Sequence, residues 1–239
     1  MPILTLNVYE GVTRFLMSDK ENPNTIVTLG FKYIAVGTAI FALALWANTI
    51  FNIFPLFSGY ELLIFLYFVS NVLYQYAVQC AKGFELVKLM GIAGVISTVV
   101  MVFTNVLFLA IWHIGLPGFF LSYILGQGIA AVYLFWKIEI IRYLKNEDDY
   151  DVQKRLVYYS VPLILNTIGW WINNASDRYI VTWLCGVSIN GIYSVSYKIP
   201  SILSTFQSIF TQSWQISAIK EYQKKAIVVF MPECWKQLI

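Results

Sequence analysis

Three ionisable side chains interrupt long apolar runs in the second half of this chain: Asp177, Arg178 and Lys198. An ion in hydrocarbon is costly and normally faces other helices or a wet cavity, so each is a functional-site candidate by default. Arg178 lies seven residues before Cys185, and Lys198 eight after Asn190. In a hairpin turning between those points, a rise of 1.5 Å per residue sets both roughly 10–12 Å below the turn. One reading pairs Asp177 with Lys198 and leaves Arg178 as surplus positive charge in a cavity, suited to an anionic headgroup such as a pyrophosphate. The other keeps Asp177 and Lys198 as a structural pair and lets Arg178 snorkel to the outer interface. Neutral polar residues share these faces. Ser194, Lys198, Ser201, Thr205, Ser208 and Gln212 recur every three or four residues, as do Asn166, Trp170, Asn173 and Asp177. That spacing is one face of a helix. Asn173, Ser194 and Ser201 therefore join the three ions as candidate cavity residues, although such amides and hydroxyls, taken singly, are more often glue between membrane helices. A weaker stripe runs through Tyr67, Asn71, Gln75 and Gln79.

Other chemistry is absent. The single histidine, His113, falls at an expected outer turn without Cys, Asp or Glu neighbours, which suits an interfacial polar residue rather than a base or ligand. Cys80, Cys185 and Cys234 are far apart and odd in number, with no CxxC signature, and read as small hydrophobes. No phosphate-loop, zinc-protease, nucleophile-elbow or dinucleotide fingerprint occurs. The chain is expected to be no enzyme and to carry no cofactor or metal.

The elements that must position these residues are long apolar helices. Of 239 residues 59% are hydrophobic and 12% charged, against roughly 25% charged in a soluble domain. Such a chain needs lipid as its surface, and membrane lipid is its first partner. A net charge of +3 with dispersed basic residues leaves no footprint for nucleic acid. The first residues lack the basic start and uninterrupted apolar run of a cleavable signal.

Apolar runs predict spans at 33–54, 60–79, 87–110, 115–136, 159–184 and 190–213, an all-α integral membrane fold of about six transmembrane helices. Pro55, Gly59, Gly115, Pro117, Gly118, Gly186 and Gly191 supply the turns. Lys and Arg alternate cleanly. All of the 16 except Arg178 and Lys198 lie in 1–32, 80–88, 137–158 or beyond 213, which fall on one side if every helix spans. By the positive-inside rule that side is cytoplasmic, with both termini inside. The charged stretch 137–158 is expected to link a partial first bundle (1–136) to two helices of a second (159–214), with a cytoplasmic tail at 215–239. Within that stretch Ile138, Ile141, Tyr143 and Leu144 suggest a short amphipathic helix on the membrane surface.

The run YYSVPLILNTIGWWINNASDRYIVTWLCG at 158–186, followed by GIYSVSYKIPSILSTFQSIFTQSWQISAIKEY at 191–222, resembles the oligosaccharide flippases of O-antigen and capsule biosynthesis. These form the polysaccharide transporter branch of the multidrug and toxic-compound extrusion-like superfamily. The most specific pieces are Ser176 to Tyr179, Gly191 to Ser194 and Tyr197 to Pro200; GVTRFL at 11–16 and AKGFELVKLMGIAGVISTVV at 81–100 are consistent with the same family. The resemblance implies two helical bundles rocking around a central cationic cavity. They would move an undecaprenyl-pyrophosphate-linked repeat unit across the bacterial plasma (inner) membrane, coupled to an H+ or Na+ gradient rather than to ATP. On it, Asp177, Arg178 and Lys198 would line the cavity of the second bundle. Family members have more helices than this chain, which is expected to cover the third to the eighth, with a tail past Tyr222 that leaves the pattern, as in a truncated form. The alternatives are a drug or metabolite exporter of the same superfamily, which calls for a more acidic cavity, or a non-transporting fragment or scaffold.

Overall fold

A proline at the first helical position gives up an amide that the start of a helix leaves unbonded anyway, and Pro23 opens the longest apolar helix of the first half in this way. The computed structural model describes residues 4–18, 21–51, 59–145 and 149–197, with positions 203, 204, 206, 207, 210, 211, 214 and 218 beyond them and the side chain of Asn174 set apart. Among the described residues every regular element is helical. In chain order these are α1 (Val8–Leu16), α2 (Pro23–Phe51), α3 (Glu61–Gly83), α4 (Val87–Asn105), α5 (Leu116–Ile138), α6 (Ile140–Tyr143), α7 (Tyr150–Cys185) and α8 (Val187–Ser196). A π-helical segment, Val106–Ile111, continues α4. Four of these stretches are long and apolar enough to cross a membrane: Pro23–Phe51, Glu61–Gly83, Val87–Ile111 and Leu116–Ile138. The protein is an all-α membrane protein.

The expected spans at 60–79, 87–110 and 115–136 correspond closely to α3, α4 with its π segment, and α5. The first departs from expectation. Its helix starts at Pro23, well before position 33. Thr25 and Thr28 lower the local hydropathy, yet they face protein rather than lipid: Thr28 Oγ1 lies 3.2 Å from the carbonyl of Tyr143 and 2.8 Å from that of Lys145. Before it lies α1, which hydropathy hides because it is nine residues long and carries Glu10 and Arg14. Its Val8, Val12 and Leu16, spaced by four, form a buried stripe.

The chain forms two units, residues 1–169 and 170–239. In the first, α5 packs on α3 and α4, and α1 on α2 and α3. Tyr76 sits at the centre with no exposure. Its hydroxyl donates to the carbonyl of Val27 at 2.6 Å, and its ring lies 6.2 Å from that of Phe31 and 6.4 Å from that of Phe135. Close approach elsewhere depends on small residues, as is usual between membrane helices. A Cβ at Gly126 of α5 would lie 2.8 Å from the Ser97 carbonyl oxygen and 2.9 Å from Met101 Cβ of α4. Gly126→Val is expected to lower stability by about 1–3 kcal/mol through overpacking, read as a lower melting temperature of the purified protein in detergent. The outward face of α4, with Val95, Val99, Val102 and Phe103 all exposed, is a surface for lipid.

At the turn into α5, Gly115 takes φ 71° and Pro117 follows within the first turn. His113 lies exposed just before it, its Nδ1 3.1 Å from the Ile111 carbonyl. The stretch after α5 differs from the surface helix expected there. Glu139 adopts a left-handed φ of 55° and ends α5, so α6 is a single turn of four residues, too short to lay a face on a membrane. Ile138 and Ile140 are buried, the Tyr143 ring lies 5.0 Å from that of Phe84, and Ile141 alone of these apolar side chains stays outside. An Arg142–Glu139 ion pair crosses the turn.

The fifth expected span lies inside α7, which begins at Tyr150 rather than 159. Asp149 caps it: the carboxylate Oδ1 accepts from the backbone amides of Asp151 at 2.9 Å and Val152 at 3.3 Å. Of the sixth, 190–213, the first residues fall in α8 and most of the remainder lies outside the described residues.

Candidate functional site

The stripe on α7 keeps its regular spacing and lies open. Asn166 in the first unit, and Trp170, Asn173 and Asp177 in the second, are all exposed, as is Arg178. Neighbours on a helix point about 100° apart, so Asp177 and Arg178 present opposite charges to different directions. Among the described residues neither has an ion pair. The local hydrogen bonds are helical ones: Ser176 Oγ donates to the Asn173 carbonyl at 3.3 Å and Thr182 Oγ1 to the Arg178 carbonyl at 2.8 Å. Ser194 is half-buried on α8. Lys198 and Ser201 lie outside the described residues, so the Asp177–Lys198 pair does too. What the described part offers is an exposed arginine and carboxylate in an apolar helical setting, with an amide on the same face.

A second polar cluster was not evident in the sequence, and it belongs to the first unit. Gln79 of α3 donates through Nε2 to Glu10 Oε1 at 3.2 Å. Its Oε1 lies 2.8 Å from the Thr13 hydroxyl, which also lies 3.1 Å from the Gln79 carbonyl. Around it, the Arg14 guanidinium carbon lies 4.2 Å from the ring centroid of Tyr159 on α7, and Arg155 Nη1 lies 2.8 Å from Glu21 Oε1. Asn7 Nδ2 donates to Thr167 Oγ1 at 3.4 Å. Burial pushes the Tyr9 hydroxyl above its ordinary pKa of 10.0, and the Glu10 carboxylate beside it acts in the same direction, so Tyr9 stays neutral and able to donate. The visible signal was the Val8, Val12, Leu16 spacing, which sets α1 as a helix with Glu10 and Thr13 off its buried stripe.

The stripe on α3 divides between these roles. Tyr67 packs edge-on to Phe120 at 5.8 Å and Tyr123 at 6.0 Å, Gln75 is exposed, and Gln79 holds Glu10 and Thr13. Gln79→Leu removes the donor to the Glu10 carboxylate and is expected to cost about 1–3 kcal/mol, the usual penalty for stripping a part-buried group of its partner. Urea unfolding in mild detergent, compared with Gln75→Leu at the exposed position of the same helix, checks it. Among the described residues no group of three His, Cys, Asp or Glu side chains is placed to hold a metal ion.

Apolar helices faced with lipid, and polar groups gathered on helix faces, define a polytopic membrane protein. Its family follows from comparison: the chain belongs to a family described as polysaccharide biosynthesis protein, whose pattern matches residues 10–226. No curated protein and no solved structure matches it.

Proposed function

We propose that this chain serves in the translocation of a lipid-linked oligosaccharide across the bacterial inner membrane, by alternating access, for O-antigen or capsule biosynthesis. The observation that carries it is the family match over residues 10–226, which spans α7 with its exposed Arg178 and Asp177. A pyrophosphate link needs a cation that hydrocarbon lipid cannot supply, and an exposed guanidinium on an otherwise apolar helix offers planar, multidentate recognition. Asn173, Ser194 and Ser201 would add hydrogen bonds to phosphate or sugar, with Lys198 as a second cation. A coupling ion, H+ or Na+, would supply the driving force. Both termini and the 137–158 linker would lie in the cytoplasm, where the basic residues concentrate.

Complementation tests this reading. Expression in a bacterium lacking its own O-antigen flippase is expected to restore surface polysaccharide, assayed by lectin or antibody binding to whole cells. Membrane-inserted protein without any restored polysaccharide would count against the substrate.

A further inference from the structure

We infer that Glu10, together with Asn7 and Ser160, forms a binding site for one Na+ ion. Glu10 is half-buried on α1. Its partner Gln79 belongs to an apolar span and lies about one helical turn inside the end of it, which sets the carboxylate among helices rather than in open water. Among the described residues no Lys or Arg pairs with it: Arg14, one turn on, lies over the Tyr159 ring instead. A carboxylate so placed takes up a proton or a cation, because an uncompensated charge is costly away from water. Beside it are two oxygens that favour the cation. Asn7 is the N-cap of α1, three residues before Glu10, a spacing that brings side chains to the same side of a helix. It is 2% exposed; its Nδ2 is held by Thr167, while its Oδ1 has no hydrogen-bond partner. Ser160 of α7 is 0% exposed and its Oγ is orphaned too. Ser160 lies against Gly11, the residue after Glu10, so closely that a Cβ there would strike its Oγ.

Orphaned oxygens occur also at Asn105 of α4 and Gln127 of α5. Those side chains are only half-buried, however, and neither helix carries an Asp or Glu. At α1 the lone pairs come with a negative charge. Carboxylate, amide oxygen and hydroxyl are hard donors, which suit alkali and alkaline-earth ions rather than transition metals. One carboxylate balances one positive charge, whereas a divalent ion would leave net charge among the helices. The tight approach of α1 to α7, where a Cβ at Gly11 would lie 2.8 Å from Leu156 Cδ1, favours Na+ over the larger K+. The site is independent of what the protein carries; that it holds the coupling ion rests on the translocation reading above.

Binding of radioactive Na+ to the full chain in nanodiscs tests the site without requiring transport. One ion per chain should bind saturably, with K+ and choline competing poorly, and NaCl should raise the thermal midpoint above that in KCl or choline chloride at equal ionic strength. Glu10→Gln and Asn7→Leu should each weaken Na+ binding by about tenfold or more, as is usual when a metal site loses a supporting group. Glu139→Gln, at an exposed carboxylate paired with Arg142, should leave it unchanged. Ser160→Ala, which removes only the hydroxyl, serves where Glu10→Gln fails to fold, and should weaken binding in the same direction. Folded protein without saturable Na+ binding, binding that Glu10→Gln leaves intact, or stabilisation that K+ matches would overturn the site. So would a stability that depends on pH through Glu10 but ignores Na+, the mark of a carboxyl that simply takes a proton. Complementation bears on the substrate and Na+ binding on Glu10, so either can fail alone.

Discussion

Arg178→Ala is expected to weaken binding of undecaprenyl pyrophosphate by roughly ten- to a hundredfold, the equivalent of about 1.5–3 kcal/mol for hydrogen bonds to a charged group. The guanidinium is exposed on α7 and, among the described residues, free of any ion pair, so its donors are available to an anion. Arg178→Lys keeps the charge but loses the planar fork, and should recover only part of the affinity. Binding is measured with the full chain in nanodiscs, using undecaprenyl pyrophosphate against undecaprenol. The uncharged lipid should bind both forms alike. If Arg178 only snorkels to an interface, Arg178→Ala leaves the preference for pyrophosphate intact.

The largest effect on stability is expected at Tyr76. Its side chain is fully buried between α2, α3 and α5, against Phe31 and Phe135, with its hydroxyl on the Val27 carbonyl. Tyr76→Ala opens a cavity and strips that carbonyl of a donor. About 3–5 kcal/mol is the usual cost of an aromatic-to-alanine change in a core. In a bilayer the transfer part shrinks, because lipid is as apolar as the core, so lost packing carries most of the penalty. Tyr76→Phe retains the ring and should cost about 1 kcal/mol, the worth of a single hydrogen bond. The two substitutions are separated by thermal melts in detergent, where Tyr76→Ala should lower the midpoint several times as far.

Hydropathy reports what lipid touches, and this explains which parts of the chain were legible. The helices α3, α4 and α5 face hydrocarbon over much of their surface, and their bounds could be read from the apolar runs. The start of α2 and all of α1 touch protein instead. Thr25, Thr28, Glu10 and Thr13 look like breaks in a hydropathy trace, but most find partners on neighbouring helices: Thr28 at the backbone after α6, Thr13 and Glu10 at Gln79. The start of α7 was hidden for a different reason, since Asp149 caps a helix whose first turns are charged and lie before its apolar run. The stripe through Asn166, Asn173 and Asp177 was visible because spacing survives folding, and all three side chains do share exposure on α7. Gly11 against Ser160 was not, because close approach of two helices is a property of distant residues and leaves no local pattern.

Translocation in proteoliposomes is the most direct test of the proposed movement of a pyrophosphate-linked oligosaccharide. The full chain is reconstituted with a fluorescent undecaprenyl-pyrophosphate-linked saccharide, and a membrane-impermeant quencher reports the outer-leaflet fraction with and without an imposed ion gradient. The account predicts that the protected fraction changes with protein present, and that Arg178→Ala slows the change by about tenfold or more, as for loss of a charge-assisted contact. A protected fraction identical to that of protein-free vesicles, with the chain shown to be folded and inserted, would contradict it.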